Sequence, residues 1–356
     1  MKKLRVFLLL FLTISFIPLL TSCSNKTCTV TFIVNDTIYE TIQVKNGSKI
    51  EKPTNPTLSN YLFEGWLFND EKWSFLNNTV DSDITLTADF NYGYTYFGTV
   101  VSGINDYGKT LNEINIAEGI TEIASKAFCD SDNIKKVTIP NIIKKIGSDA
   151  FSGCANLTYN LYDNAYYLGN DDNPYVVLMN KINTSITNCT IHSNTKIIYN
   201  GAFAVCEKMT SITIPTNVID IGDTAFYYCS SLTNITILGN ISNINLELFR
   251  YCTNLESFTI PNSVTTISKS SFADNYDLTN IVIPVSVTNI DLNAFFNCKN
   301  LNIVYYHGTA SDWSQISIHA TNSYLLSATK YYYSETQPEN TGNYWHYVDG
   351  IPTIWE

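Results

Sequence analysis

"AFYYCSSLTNITI", Ala225–Ile237, decides the fold because it is written again on either side of itself. "AFAVCEKMTSITI" begins 23 residues earlier at Ala202, and "LFRYCTNLESFTI" begins 23 residues later at Leu248. Working outward, phenylalanine returns at Phe128, Phe151, Phe203, Phe226, Phe249, Phe272 and Phe295. Each step is 23 residues except Phe151 to Phe203, which is 52, or twice 23 plus 6. One unit is therefore longer and has lost its Phe. The Gly, Asn, Asp and Pro of "YLGNDDNPYVVLMN", around Tyr167–Asn180, mark the extra residues as an inserted turn.

A second column keeps the same register. The centres of short strand-like triplets fall at Asn115, Thr138, Leu161, Thr190, Thr213, Thr236, Thr259, Val282 and Tyr305. Ile212 and Ile214, Ile235 and Ile237, Phe258 and Ile260, and Ile281 and Ile283 flank four of these centres. Alternation with period two places the flanks on one face and the centre on the other. Pro140, Pro215, Pro261 and Pro284 end their triplets, because proline cannot continue a ladder.

A 23-residue unit cannot bury its own apolar side and must stack on copies of itself. The pattern predicts a mainly β solenoid with a parallel sheet on one face and the Phe column and isoleucines filling its interior. Cys154, Cys206, Cys229, Cys252 and Cys298 each lie three residues after a column Phe, and Asn275 and Ser131 take that place elsewhere. A position that accepts Cys, Asn and Ser reads as a buried polar ladder bonding the turn backbone rather than as disulfide pairs. Cys28, Cys129 and Cys189 lie off the column, and spacing does not assign their pairing.

The pattern L-T-x-I-x-I-P-x-S-V-x-x-I-x-x-x-A-F-x-x-C, seen from Leu232 and in "NLESFTIPNSVTTISKSSF", resembles the BspA-type leucine-rich repeat over about Leu111 to Tyr306. The resemblance implies a bacterial surface or secreted protein concerned with adhesion to matrix proteins or other cells. "VYYHGTASDWSQISI" is similar to the ending of such arrays, with Trp313 expected in a cap over the last apolar end.

The N-terminal part reads differently. Lys2, Lys3 and Arg5 precede an apolar run, Val6 to Leu20, that is short for a bilayer span and suits an export signal. "LTSC", Leu20–Cys23, resembles the bacterial lipobox, which implies lipidation of Cys23, attachment to the bacterial membrane through that anchor alone, and exposure at the cell surface. From Cys28 to Phe90, "TVTFIV" and "DITLTADF" alternate as strands do, and "KNGSKI" places Gly47 at a hairpin turn. With "KP", "NP", "YLFEGW" and Trp73, this segment resembles the internalin B-repeat, or Listeria-Bacteroides repeat, a small β-grasp-like module. Phe90 stands where that family closes on tryptophan. Trp66 and Trp73 are read as core rather than as ligand platforms. The expected organisation is a signal peptide over 1–22, the module over 23–91, repeats over 92–310, and a cap with an aromatic tail over 311–356.

Chemistry is sparsely indicated. A net charge of −11 with no basic stripe argues against a nucleic-acid partner. His192, His307, His319 and His346 have no metal-ligand spacing, "NDDN" at Asn170–Asn173 lacks the glycine and spacing of a calcium loop, and no nucleophile–base or phosphate-loop motif occurs. The reading is a non-enzymatic chain without cofactor or metal. Its candidate binding strip is the outward column Thr190, Thr213, Thr236, Thr259, Val282 and Tyr305, offered to a protein on a host, a matrix or a neighbouring cell. The alternative is a glycan ligand, held either there or on the aromatic segment Lys330–Gly350. A purely structural surface scaffold is the third reading.

Overall fold

The computed structural model describes residues 26–58, 61–339 and 341–355. Cys23 and the apolar leader lie outside the described residues. Two compact units are present. One holds the described residues up to Gly98 together with Asn105–Leu111, and the other holds Thr99–Ile104 with the chain from Asn112 on.

The first unit is a five-stranded mixed sheet. Thr27–Val34 forms an antiparallel hairpin with Thr37–Lys45 and pairs in parallel with Ile84–Asn91, which pairs antiparallel with Leu62–Phe68. The hairpin turns at Asn35 and Asp36, with φ of 48° and 60°, as a two-residue turn between twisted strands requires. Gly47 was the expected turn. It is left-handed, but its N–H bonds the Val80 carbonyl at 2.9 Å, beyond the end of the second strand. Trp66 is buried against Phe32 and Phe63, ring to ring at 4.8 and 5.6 Å, and Phe63 meets the buried Phe90 at 5.6 Å. Trp66 and the partly buried Trp73 belong to the core of this unit.

The second unit is the solenoid. Its first ladder contains Glu113–Asn115 with Lys136–Thr138, Ser211–Ile214 with Asn234–Ile237, and then Ser257–Thr259, Asn280–Ile283 and Ile303–Tyr306, paired in parallel in 23-residue register. The return path of each unit carries a second parallel ladder of two-residue strands, among them Asn243–Ile244, Thr266–Ile267 and Asn289–Ile290. A third set of bonds runs along the Phe turn. Thr224, Phe226 and Tyr228 donate their N–H groups to the carbonyls of Leu246, Leu248 and Arg250 at 2.9, 3.0 and 2.8 Å. The positions two before and two after the Phe are left-handed in repeat after repeat, with φ of 57° at Thr224 and 58° at Tyr228.

Between the ladders the Phe column is buried and stacked. Ring centroids are 5.3 Å apart for Phe203–Phe226, 5.7 Å for Phe226–Phe249, 5.4 Å for Phe249–Phe272 and 5.2 Å for Phe272–Phe295, with interplanar angles below 30°. The column continues through the earlier pair Phe128–Phe151 at 5.5 Å.

Two expected strand centres are displaced. Leu161 lies in Asn160–Tyr162, which pairs antiparallel with Ala165–Leu168, and its side chain is 58% exposed. Thr190 lies in no strand, and its N–H bonds the Asp163 carboxylate at 2.5 Å. The cause is the insertion. Ala165–Leu168 and Val177–Lys181 form an antiparallel hairpin whose second strand crosses to the return-path ladder, pairing in parallel with Ile197–Ile198. Gly169 takes over the parallel bridge to Thr138, and a Cβ there would stand 2.1 Å from the Asn173 carbonyl oxygen.

The segment expected to cap the array packs Trp313, Ile316, Ile318, Leu325 and Ala328 against its core and also extends its sheet. Thr329–Tyr333 pairs in parallel with Ile303–Tyr306, Tyr344–Val348 follows in parallel, and Ile351–Ile354 closes the sheet antiparallel. Trp313 ends a one-turn helix, Ala310–Trp313, held by a capping box between Thr309 and Asp312, and packs edge-on against Tyr306 at 5.2 Å.

Candidate functional site

Ser211–Ile214 and Asn234–Ile237 pair with Thr213 directly opposite Thr236, so the side chains of these two residues share a face. Ile212, Ile214 and Ile235 point inward and are buried, whereas Thr213, Thr236 and Thr259 are exposed. Ser211, Asn234 and Ser257, two residues before each threonine, are exposed on the same face. These two paired strands and the corresponding strand of the next repeat, Ser257–Thr259, therefore present six uncharged polar side chains. In the first repeats the corresponding face is occupied: Thr138 donates to the Asn115 side-chain oxygen at 2.7 Å, and Lys136 pairs with Glu113 at 3.1 Å.

Only part of the expected strip is assembled. Val282 and Tyr305 are buried, with 4% and 8% of their surface exposed, because the buried Trp345 packs against them with Ile303, Tyr331, Tyr333 and Ile354. Trp345 is held there by its indole N–H, which donates to the Tyr306 carbonyl at 2.9 Å. Thr190 leaves the strip with the inserted hairpin. The exposed row is Thr213, Thr236 and Thr259.

The tyrosines of Lys330–Gly350 are built into the sheet. Tyr331, Tyr332 and Tyr333 are all partly buried, packed against Tyr305, Tyr306 and His307 at ring distances of 6.1, 6.5 and 4.2 Å. Burial lowers the pKa of His307.

The cysteine column is interior. The thiols of Cys154, Cys229, Cys252 and Cys298 donate to the carbonyls of Phe128, Phe203, Phe226 and Phe272 at 3.0 to 3.2 Å. Burial pushes the Cys206 thiol up to about 11 and those of Cys252 and Cys298 up to about 12. A protonated thiol is a donor and a poor nucleophile. Asn275, at the same position, is fully buried but its amide meets no hydrogen-bond partner, so the expected bond to the turn backbone is not made there.

Beside the lengthened unit a polar recess of 390 Å³ opens between Lys145, Ser148, Asn200, Asp220 and Asp223. Burial raises the Asp220 carboxyl to about 6, against the opposing effects of the Asn245 amide at 3.2 Å and of Lys145. Among the described residues no cluster of His, Cys, Asp and Glu could hold a metal ion, and no helix is long and apolar enough to cross a membrane. In "NDDN", the Asn170 side-chain oxygen accepts from the N–H groups of Asp172 and Asn173 at 3.1 and 2.8 Å, which folds the segment as a turn.

Six copies of the BspA type leucine-rich repeat region match residues 106–170 and 182–302, more than half of the chain. The chain belongs to the BspA-type leucine-rich repeat family. The Listeria-Bacteroides repeat domain matches residues 29–89, the five-stranded unit that precedes the BspA-type array. Among solved structures, a leucine-rich cell surface protein from Faecalibacterium prausnitzii is 28% identical, with 60% of this chain and 64% of that one covered and a TM-score of 0.45. A leucine-rich repeat protein from Bacteroides ovatus is 21% identical over 68% of this chain and 71% of that one, with a TM-score of 0.34. The T. pallidum leucine-rich repeat protein is 20% identical over 60% of this chain and 78% of that one, with a TM-score of 0.25. No curated protein matches the chain.

Proposed function

We propose that this chain is an exported surface lipoprotein, anchored through Cys23, whose BspA-type array binds a protein partner through the face of Thr213, Thr236 and Thr259. The observation that carries the reading is the uncharged character of that face on a chain of net charge −11. Charges elsewhere on the chain can steer a partner, but a charge held in the contact would have to be desolvated. Six hydroxyl and amide side chains free of ion pairs, four of them fixed on one paired ladder, offer area and hydrogen bonds without that cost. Repeating a unit multiplies such surface, which supports binding rather than catalysis. The leader and "LTSC" support the anchored, cell-surface location, as does the family's association with bacterial surfaces.

The test is binding of purified residues 24–356 to immobilised matrix proteins and glycans, beside a Thr213→Lys, Thr236→Lys, Thr259→Lys variant checked by circular dichroism. The expected result is a protein ligand bound by the parent and lost by the folded variant. Equal binding by both removes the site from this face. For the anchor, Cys23→Ser should move the chain from the membrane fraction to the soluble one, and a chain that stays with the membrane would refute lipidation.

A further inference from the structure

The turn after each Phe forms a second exposed edge, and three consecutive repeats treat it unlike the others. Two residues after the Phe the backbone is left-handed in every repeat that has one: φ is 55° at Asp130, 77° at Gly153, 64° at Val205, 58° at Tyr228, 62° at Tyr251, 64° at Asp274 and 62° at Asn297, and at Asp130, Val205, Tyr228, Tyr251 and Asp274 the N–H bonds a carbonyl of the next repeat. Gly, Asp and Asn adopt this region readily, whereas a β-branched or aromatic residue in it is strained. Val205, Tyr228 and Tyr251 therefore hold bulky side chains where the fold alone would favour small polar ones. Strain retained in this way directs attention to function.

Those side chains form a surface. Val205 and Tyr228 are each 41% exposed, and Tyr276, two positions further round the next turn, is 38% exposed. Tyr227, Tyr228 and Tyr251 meet with ring centroids 5.5 to 6.1 Å apart and interplanar angles of 38° to 89°. Rings tilted so strongly make a ridge and not a flat platform for a sugar. Arg250 lies over the Tyr251 ring at 4.9 Å and is ion-paired with Glu247 at 3.0 Å and Asp274 at 3.2 Å, so its charge is not free to attract an anionic polymer. Tyrosine and arginine at the centre of an exposed patch are the residue types that dominate protein–protein contacts.

The charges at the ends of the patch point to the partner. Four residues after the Phe, successive repeats carry Glu207, Ser230, Thr253, Tyr276 and Lys299. Glu207 and Lys299 are exposed at opposite ends, four repeat steps or about 19 Å apart. A twofold axis through the middle repeat reverses this order and sets each glutamate against a lysine. We propose that this edge is a self-association surface, on which two copies of the chain pair antiparallel through Val205, Tyr228, Tyr251 and Tyr276, with Glu207 of each copy facing Lys299 of the other. The face is distinct from the threonine row and does not depend on it.

Sedimentation velocity on residues 26–356, from about 1 to about 200 μM, tests the pairing in the range expected of a small interface. A concentration-dependent dimer is expected. The Tyr228→Asn, Tyr251→Asn variant should remain monomeric with an undiminished melting temperature, since Asn297 already occupies the same position. Glu207→Lys should weaken the dimer by about tenfold, and adding Lys299→Glu should restore it. A monomer throughout the range, a dimer that survives loss of both tyrosines, or a charge swap that fails to restore pairing would each overturn the proposal.

Discussion

The thiol of Cys252 donates to the carbonyl of Phe226, 26 residues earlier, at 3.2 Å. The bond closes one turn of the solenoid onto the previous one in a fully buried site. Replacing Cys252 with Ala removes one of that carbonyl's two donors, the other being the Cys229 N–H at 3.3 Å, which should cost about 0.5 to 1.5 kcal/mol in urea unfolding. Cys252→Ser keeps a donor of similar size and should cost less than the alanine. If Ala and Ser were equally destabilising, packing and not the hydrogen bond would account for the position.

The same burial makes a chemical prediction. With thiols pushed up to about 12, Cys252 and Cys298 carry almost no thiolate at pH 8 and are shielded by the stack. Iodoacetamide should leave both unmodified in the folded chain and label both in denaturant, as read by peptide mass spectrometry. Rapid labelling of native Cys252 would contradict the interior placement.

Phe249 stacks between Phe226 and Phe272 and is fully buried. Phe249→Ala should destabilise the array by about 3 to 5 kcal/mol, and Phe249→Leu by clearly less, because leucine leaves a smaller cavity. Equal losses for the two would mean that the site collapses around either replacement.

How much was legible depends on how local the cause was. Phe249 and Cys252 declare themselves because their environment is supplied by copies of the same unit, so spacing reports packing. Leu161 and Thr190 kept the spacing and lost the parallel ladder, since the inserted hairpin redirects the hydrogen bonds of its neighbours without disturbing the residue count on either side. Val282 and Tyr305 kept the strand and lost the exposure: what covers them is Trp345, outside the 23-residue pattern and more than 30 residues further on. The strands Thr329–Tyr333 and Tyr344–Val348 lack the Phe and Cys signature, yet backbone pairing needs neither. For the left-handed turn a signal did exist. Asp130, Gly153, Asp274 and Asn297 share one column, and that composition marks positive φ and makes Val205, Tyr228 and Tyr251 the exceptions.

Those exceptions give a stability prediction of unusual sign. Val205→Asn should raise the unfolding free energy by about 1 kcal/mol, because the strain of a β-branched residue in the left-handed region is relieved while little buried area is lost. Gly153→Val should do the reverse. Its φ is 77°, and a Cβ there would fall 2.1 Å from an Asp130 carboxylate oxygen. A destabilising Val205→Asn would show that the valine earns its place by packing.

Asp220 supplies a pH dependence. Its folded pKa of about 6, raised by burial, lies above the unfolded carboxylate value of about 4, so between those pH values the folded state holds the extra proton. Stability therefore falls as pH rises from about 4 to about 6, and the whole penalty is present above that range. Asp220→Asn keeps an oxygen for the Asn245 amide, which reaches Asp220 at 3.2 Å, and carries no charge to desolvate. At pH 7 it should stabilise the chain by at most about 2 kcal/mol, less whatever solvent already screens at this partly exposed site, and at pH 4 it should be nearly neutral. Urea unfolding of both proteins at the two pH values is the check. A variant equally stabilised at pH 4 and pH 7 would show that the Asp220 charge is not what the recess opposes.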